Sequence, residues 1–148
     1  MTVVLDASVV VAALIDDGSD GLWAEQVLFN GPLLSTQLMP AEVTNVLRRS
    51  LASGRIDPVS SGLAMSRLSE LPVELFPFAP FAARVWVLRD NVTAYDAWYV
   101  AVAEAVGAPL ATLDPRPSPG RGAGPRLPVR AARRQVTRPE PIPMVPLG

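Results

Sequence analysis

Apolar residues come in two kinds of block along this chain, and the blocks alternate. Short unbroken runs, Val3 to Leu5 and Pro109 to Leu113, read as strands covered on both faces, because such strands lose the every-second-residue alternation of a half-exposed sheet. Leu33 to Ser35 and Val73 to Phe76 are further strand candidates. Between these runs the apolar positions take helical spacing. A short apolar helix is expected from about Ser8 to Ile15. A second is expected from Ser19 to Phe29, with Leu22, Trp23, Gln26 and Val27 near helical spacing and Asn30-Gly31-Pro32 as its stop. Pro40 opens a helix that runs to about Gly54, along which Val43, Val46, Leu47 and Leu51 form the apolar stripe while Glu42, Asn45 and Arg49 share a neighbouring face. Pro58 to Leu71, Phe81 to Arg89 and Thr93 to Val106 complete the expected helices. Strands alternating with helices predict an α/β fold with a central parallel sheet.

The pattern ends at Asp114. The last 34 residues hold nine of the sixteen prolines, seven Arg and no aromatic residue. Proline at that density prevents regular helix or central strand. The chain therefore divides into a globular part, residues 1–114, and a Pro/Gly/Arg-rich tail, residues 115–148, expected to be mostly disordered. Charge divides the same way. Residues 1–114 carry thirteen acids against six Arg, a net −7, and the tail carries seven Arg against Glu140 alone, a net +6. An acidic body is poorly suited to sequence-independent phosphate binding, so a nucleic-acid ligand needs bound metal, a few Arg or a partner to draw it in. The first basic residue is Arg48, and the early apolar run Val9 to Ile15 is too short to span a bilayer. No membrane association and a cytoplasmic location are expected, in keeping with the absence of cysteine.

The chain also has no His and no Lys. That excludes a structural zinc site, a Cys nucleophile, a Ser-His-Asp triad and a phosphate-binding loop ending in Gly-Lys-Ser/Thr. Acidic residues remain, and four of them stand where a predicted strand ends or a predicted helix begins: Asp6, Glu42, Asp96 and Asp114. Each has an ordinary structural reason to be there. Asp6 and Ser8 suit a helix cap, Glu42 complements a helix dipole, Thr93-Ala94-Tyr95-Asp96 has capping-box spacing, and Asp114 suits a turn before Pro115. The helix behind Asp96 is apolar almost all round, which places that acid at a partly dry site. If the four converge, they offer the hard oxygen ligands that Mg²⁺ or Mn²⁺ prefers. Two carboxylates about 5 Å apart repel by roughly 3 kcal/mol at an effective dielectric of 20, so such a cluster needs cations or shifted pKa values. Trp23, Trp86 and Trp98 are expected in the core.

Four segments in order, Val4-Leu5-Asp6-Ala7-Ser8, Pro40-Ala41-Glu42-Val43-Thr44-Asn45-Val46-Leu47-Arg48-Arg49, Thr93-Ala94-Tyr95-Asp96-Ala97-Trp98-Tyr99-Val100-Ala101-Val102-Ala103-Glu104 and Leu110-Ala111-Thr112-Leu113-Asp114, resemble PIN-domain ribonucleases of the VapC toxin type. The resemblance covers residues 1–114. It implies a three-layer α/β/α fold around a parallel sheet and a Mg²⁺- or Mn²⁺-dependent endoribonuclease. Asp6, Glu42, Asp96 and Asp114 would be its metal-binding catalytic acids, and Ser8, Asn45 and Thr112 would support them by hydrogen bonding. It further implies an RNA substrate, a homodimer, and a cognate antitoxin as the partner of a type II toxin-antitoxin pair. A PIN module that has lost catalysis and binds a protein or RNA without cutting is the competing expectation. The tail departs from the family pattern, since Pro115-Arg116-Pro117-Ser118-Pro119-Gly120 stands where a short helix and a closing edge strand are usual.

Overall fold

Four short strands make one parallel sheet, with the first strand in its interior. The computed structural model describes residues 1–114, so the expectation of a disordered tail lies outside the described residues. In chain order the elements are β1 (Val3–Leu5), α1 (Ala7–Ile15), α2 (Ser19–Phe29), β2 (Leu33–Thr36), α3 (Met39–Ala52), α4 (Pro58–Glu70), β3 (Val73–Phe76), a 3-10 turn (Ala79–Phe81) running into α5 (Ala82–Val87), α6 (Ala94–Val106) and β4 (Leu110–Ala111). The sheet order is β3-β2-β1-β4, and every neighbouring pair is parallel. The chain therefore builds outward from β1 to β3, then passes back to set β4 on the other side of β1. Such a reversal leaves a crevice outside the carboxyl ends of the strands, where open α/β sheets bind ligands.

Alternate strand residues face opposite layers. Val3, Leu5 and Leu33 join the buried side of α1, Met39, Val43 and Leu47 of α3, and Ala64 and Leu68 of α4. Val4 and Leu34 turn the other way, toward Val102 and Ala103 of α6, with Phe76, Phe81 and Trp98 around them. The expected α/β/α layering is what these two cores make. Small residues set the close approach of α1 and α2: Gly21 and Ala24 are the buried positions of α2, and a Cβ on Gly21 would run into the Asp16 carbonyl group. Gly107, at φ 65°, takes the left-handed conformation that ends α6. None of the helices among the described residues is long and apolar enough to cross a membrane.

Three expectations need correction. The expected strand Pro109 to Leu113 pairs only at Leu110 and Ala111. It stops there because the next backbone N–H groups turn to side chains, Leu113 N donating to Ser8 Oγ at 3.0 Å and Asp114 N to Thr112 Oγ1 at 3.1 Å. The expected helix Phe81 to Arg89 is shorter, with Phe81 closing a 3-10 turn and the α-helical part running from Ala82 to Val87. Trp86 is not core, being 68% exposed with the Arg89 guanidinium 4.7 Å from its ring centre.

Candidate active site

Asp6 leaves β1 at the carboxyl edge of the sheet and stands at the cap position of α1, yet its side chain makes no capping bond. Its Oδ2 instead accepts from Thr112 Oγ1 at 2.7 Å and from Ser8 Oγ at 2.9 Å. Each hydroxyl also accepts a backbone N–H from the segment after β4, so one proton goes to Asp6 while the oxygen holds the chain that carries Asp114. The support expected of Ser8 and Thr112 is present. Asn45 does something else: it is exposed, and its Oδ1 accepts from Arg48 Nη2 at 3.0 Å and Nε at 3.2 Å. No hydrogen bond joins it to any of the four acids among the described residues.

Glu42 sits in the first turn of α3, half-buried, and accepts a hydrogen bond from the Tyr99 hydroxyl. Burial raises its pKa above the ordinary 4.5; the Tyr99 bond opposes the shift, and the charges of Asp6, Asp96 and Asp114 add to it. Asp114 is raised in the same way by the protein around it, then by the charges of Asp6 and Asp96. By surface area Asp114 is exposed. All four acids lie in one electrostatic field. Asp96 is also exposed, which corrects the expectation of a dry site. Its backbone N–H donates to Thr93 Oγ1 at 3.2 Å and its Oδ2 accepts from that hydroxyl at 2.9 Å, the reciprocal arrangement of a capped helix start. The buried residues that follow lie on other faces of the helix, Ala97 and Ala101 with Val85 of α5, Val102 and Ala103 with Val4 and Leu34, and Tyr99 with the core under α1 and α3.

As a donor set, four carboxylates fit a hard divalent cation. As they stand, no three acidic side chains among the described residues gather closely enough to grip one ion, so binding requires the side chains to draw inward. Sequence reasoning missed Tyr99, 2% exposed and bonded to Glu42, and Thr36, fully buried at the end of β2. Burial pushes the Tyr99 phenol well up, the bond to Glu42 adds to it, and nearby Thr36 opposes it weakly, although Thr36 Oγ1 has no hydrogen-bond partner of good geometry. The available signal for Tyr99 was a phenol one helical turn after Asp96 inside an otherwise apolar helix.

The raised carboxyls give a pH prediction. A group whose folded pKa lies above its unfolded value costs stability once ionised. Metal-free protein should therefore lose stability as pH rises from the unfolded value of 4.5 through the folded value of Glu42. In EDTA, Glu42→Gln is expected to raise the urea midpoint at pH 7, with the gain shrinking toward pH 4.5 and below. Equal midpoints at pH 7 would remove the repulsion from this site.

A family model for the PIN domain matches residues 3–118. The chain is 37% identical over 114 residues to ribonuclease VapC1 of Mycobacterium tuberculosis, covering 76% of this chain and 86% of that protein. It is 35% identical over 114 residues to ribonuclease VapC9 of the same organism, covering 77% and 87%. Among solved structures it is similar to PAE2754 from Pyrobaculum aerophilum, with a TM-score of 0.60 and 23% identity over 77% of this chain and 75% of that one. It is also similar to VapBC2 from Rickettsia felis, solved bound to a DNA fragment from their promoter, with a TM-score of 0.55 and 19% identity over 77% and 89%.

Proposed function

The chain belongs to the PIN-domain family, and on that premise we propose that it is a Mg²⁺- or Mn²⁺-dependent endoribonuclease, the toxin of a type II toxin-antitoxin pair. The observation that carries the reading is the convergence at the carboxyl edge of the sheet, where Thr112 and Ser8 donate to Asp6 and hold the segment that carries Asp114, and where the charges of Asp6, Asp96 and Asp114 all bear on Glu42. Like charges concentrated at the carboxyl edge of a parallel sheet destabilise the empty fold, and a cation relieves them. The ribonuclease names of VapC1 and VapC9 support RNA as the substrate.

Asp6, Asp96 and Asp114 would hold the metal, and Glu42 would contact it or orient a water. When bound, such a cation supplies a water made more acidic and offsets charge on the transferring phosphate. The chain's own contribution is placement. Ser8 and Thr112 fix the Asp6 carboxylate and the backbone leading to Asp114, while Thr93 fixes the turn that carries Asp96. The acidic body repels RNA on its own, so neutralising the pocket is also what lets a phosphate approach. A homodimer, an antitoxin that covers the acidic pocket, and a cytoplasmic location complete the proposal. A second reading, a PIN module that binds protein or RNA without cutting, is favoured by one observation, that among the described residues no three acids stand close enough to share an ion.

Purified full-length protein incubated with total RNA, with and without Mg²⁺ or Mn²⁺, separates the two when cut ends are mapped and melting is followed in parallel. Metal-dependent cleavage is expected, with a rise in melting temperature, because a hundredfold excess of metal over its Kd adds about 2.7 kcal/mol to a fold that alone binds it. Calcium should stabilise without comparable cleavage. Intact RNA together with identical melting curves at every metal concentration would leave the non-cutting reading.

A further inference from the structure

We infer that Tyr99 is a positioning residue for Glu42, holding its carboxylate toward the other three acids; the inference rests on the nuclease reading above. Among the described residues, the bond from the Tyr99 hydroxyl is the one hydrogen bond the Glu42 carboxylate accepts. Asp6, by contrast, has two hydroxyl donors, and Asp96 has the Thr93 hydroxyl. Glu42 also has the longest of the four side chains, and the like charges of Asp6, Asp96 and Asp114 repel it. A flexible carboxylate under that push needs a fixed donor to stay in place.

Tyr99 is built to be that donor. It is 2% exposed, so packing locks its ring. Although it belongs to α6, it packs with the core formed by α1, α3 and α4, whereas the other buried residues of α6 lie in the two remaining clusters. Its phenol thus meets α3, joining residues 57 apart in sequence. Thr36 closes the space beside it at the end of β2, fully buried.

Tyr99→Phe removes the hydroxyl and keeps the ring. In full-length protein it is expected to slow single-turnover RNA cleavage by about ten- to a hundredfold, with RNA affinity changed by no more than about twofold. Mn²⁺ binding without RNA, followed by the resonance of the free ion, is expected to weaken. Combined with Glu42→Gln, Tyr99→Phe should cause no further loss in either readout, because the phenol acts through the carboxylate. Wild-type cleavage and Mn²⁺ affinity in Tyr99→Phe would overturn the inference, even if its melting temperature falls. So would losses that multiply in the double variant. A wild type that neither cuts RNA nor binds Mn²⁺ would sink the nuclease reading and this inference together; a wild type that does both isolates the Tyr99 result.

Discussion

Asp6→Asn is expected to lower metal-dependent RNA cleavage by at least about a hundredfold while the fold stays intact. Asp6 is the acid on which the site converges, since Thr112 and Ser8 both donate to its Oδ2 and its charge acts on both Glu42 and Asp114. Asparagine keeps a carbonyl oxygen for those hydroxyls, so the link between β1 and the segment after β4 survives. It removes the negative charge that would face the cation. The same loss relieves Glu42 and Asp114, so metal-free Asp6→Asn should be as stable as the wild type or more so above the ordinary carboxylate range. The check is cleavage of one RNA by both proteins at matched metal concentration, beside urea unfolding in EDTA. Near-wild-type cleavage by a folded Asp6→Asn protein would remove Asp6 from the site.

The largest expected effect on stability comes from a glycine far from the acids. Gly21→Ala should destabilise the protein by about 1–2 kcal/mol, because forced overpacking of up to roughly 3 kcal/mol outweighs the roughly 1 kcal/mol that alanine gains in a helix. The obstacle is backbone: the new Cβ would meet the carbonyl group of Asp16, whose carbon lies at 2.7 Å, with the Ala12 carbonyl oxygen at 3.2 Å behind it. A carbonyl that ends α1 cannot swing aside as a side chain can, so α2 must lift off α1. Gly62 is the matched control. It is exposed within α4, and a Cβ there meets nothing within 4 Å, so Gly62→Ala should stabilise by roughly 1 kcal/mol through helix propensity. Urea unfolding of the two variants against wild type should give opposite signs. A Gly21→Ala protein as stable as wild type would mean that the α1–α2 contact is looser than described.

Much of this architecture was legible before any coordinates. The apolar runs at β1, β2 and β3 and the proline and glycine punctuation around α3 and α4 are local signals, so they fix element type without tertiary information. The placement of the four acids was legible because a carboxylate at the end of a buried strand, or in the first turn of a helix beside one, is conspicuous in an apolar chain. What stayed hidden depended on partners distant in sequence. Tyr99 reads as another apolar helix position until the fold sets it against Glu42. The shortness of β4 follows from Ser8 and Thr112 taking the next N–H groups, a competition no local pattern encodes. Trp86 illustrates the reverse error, because hydrophobicity alone does not say which side of a six-residue helix faces out.

The brevity of β4 bears on how this molecule ages and heats. Asp114 reaches the acidic cluster from an edge held to β1 by a two-residue ladder, with Asp6 N donating to the Ala111 carbonyl at 3.0 Å near its end. The opposite flank, β2 with β3, is paired over four residues. Among the described residues the shorter ladder is thus on the flank that carries Asp114, and a small excursion there would displace that carboxylate and the Thr112 hydroxyl that steadies Asp6, leaving Ser8 in place on α1. On the nuclease reading proposed above, activity would therefore have a lower thermal ceiling than the fold, and a molecule would fall silent before it comes undone.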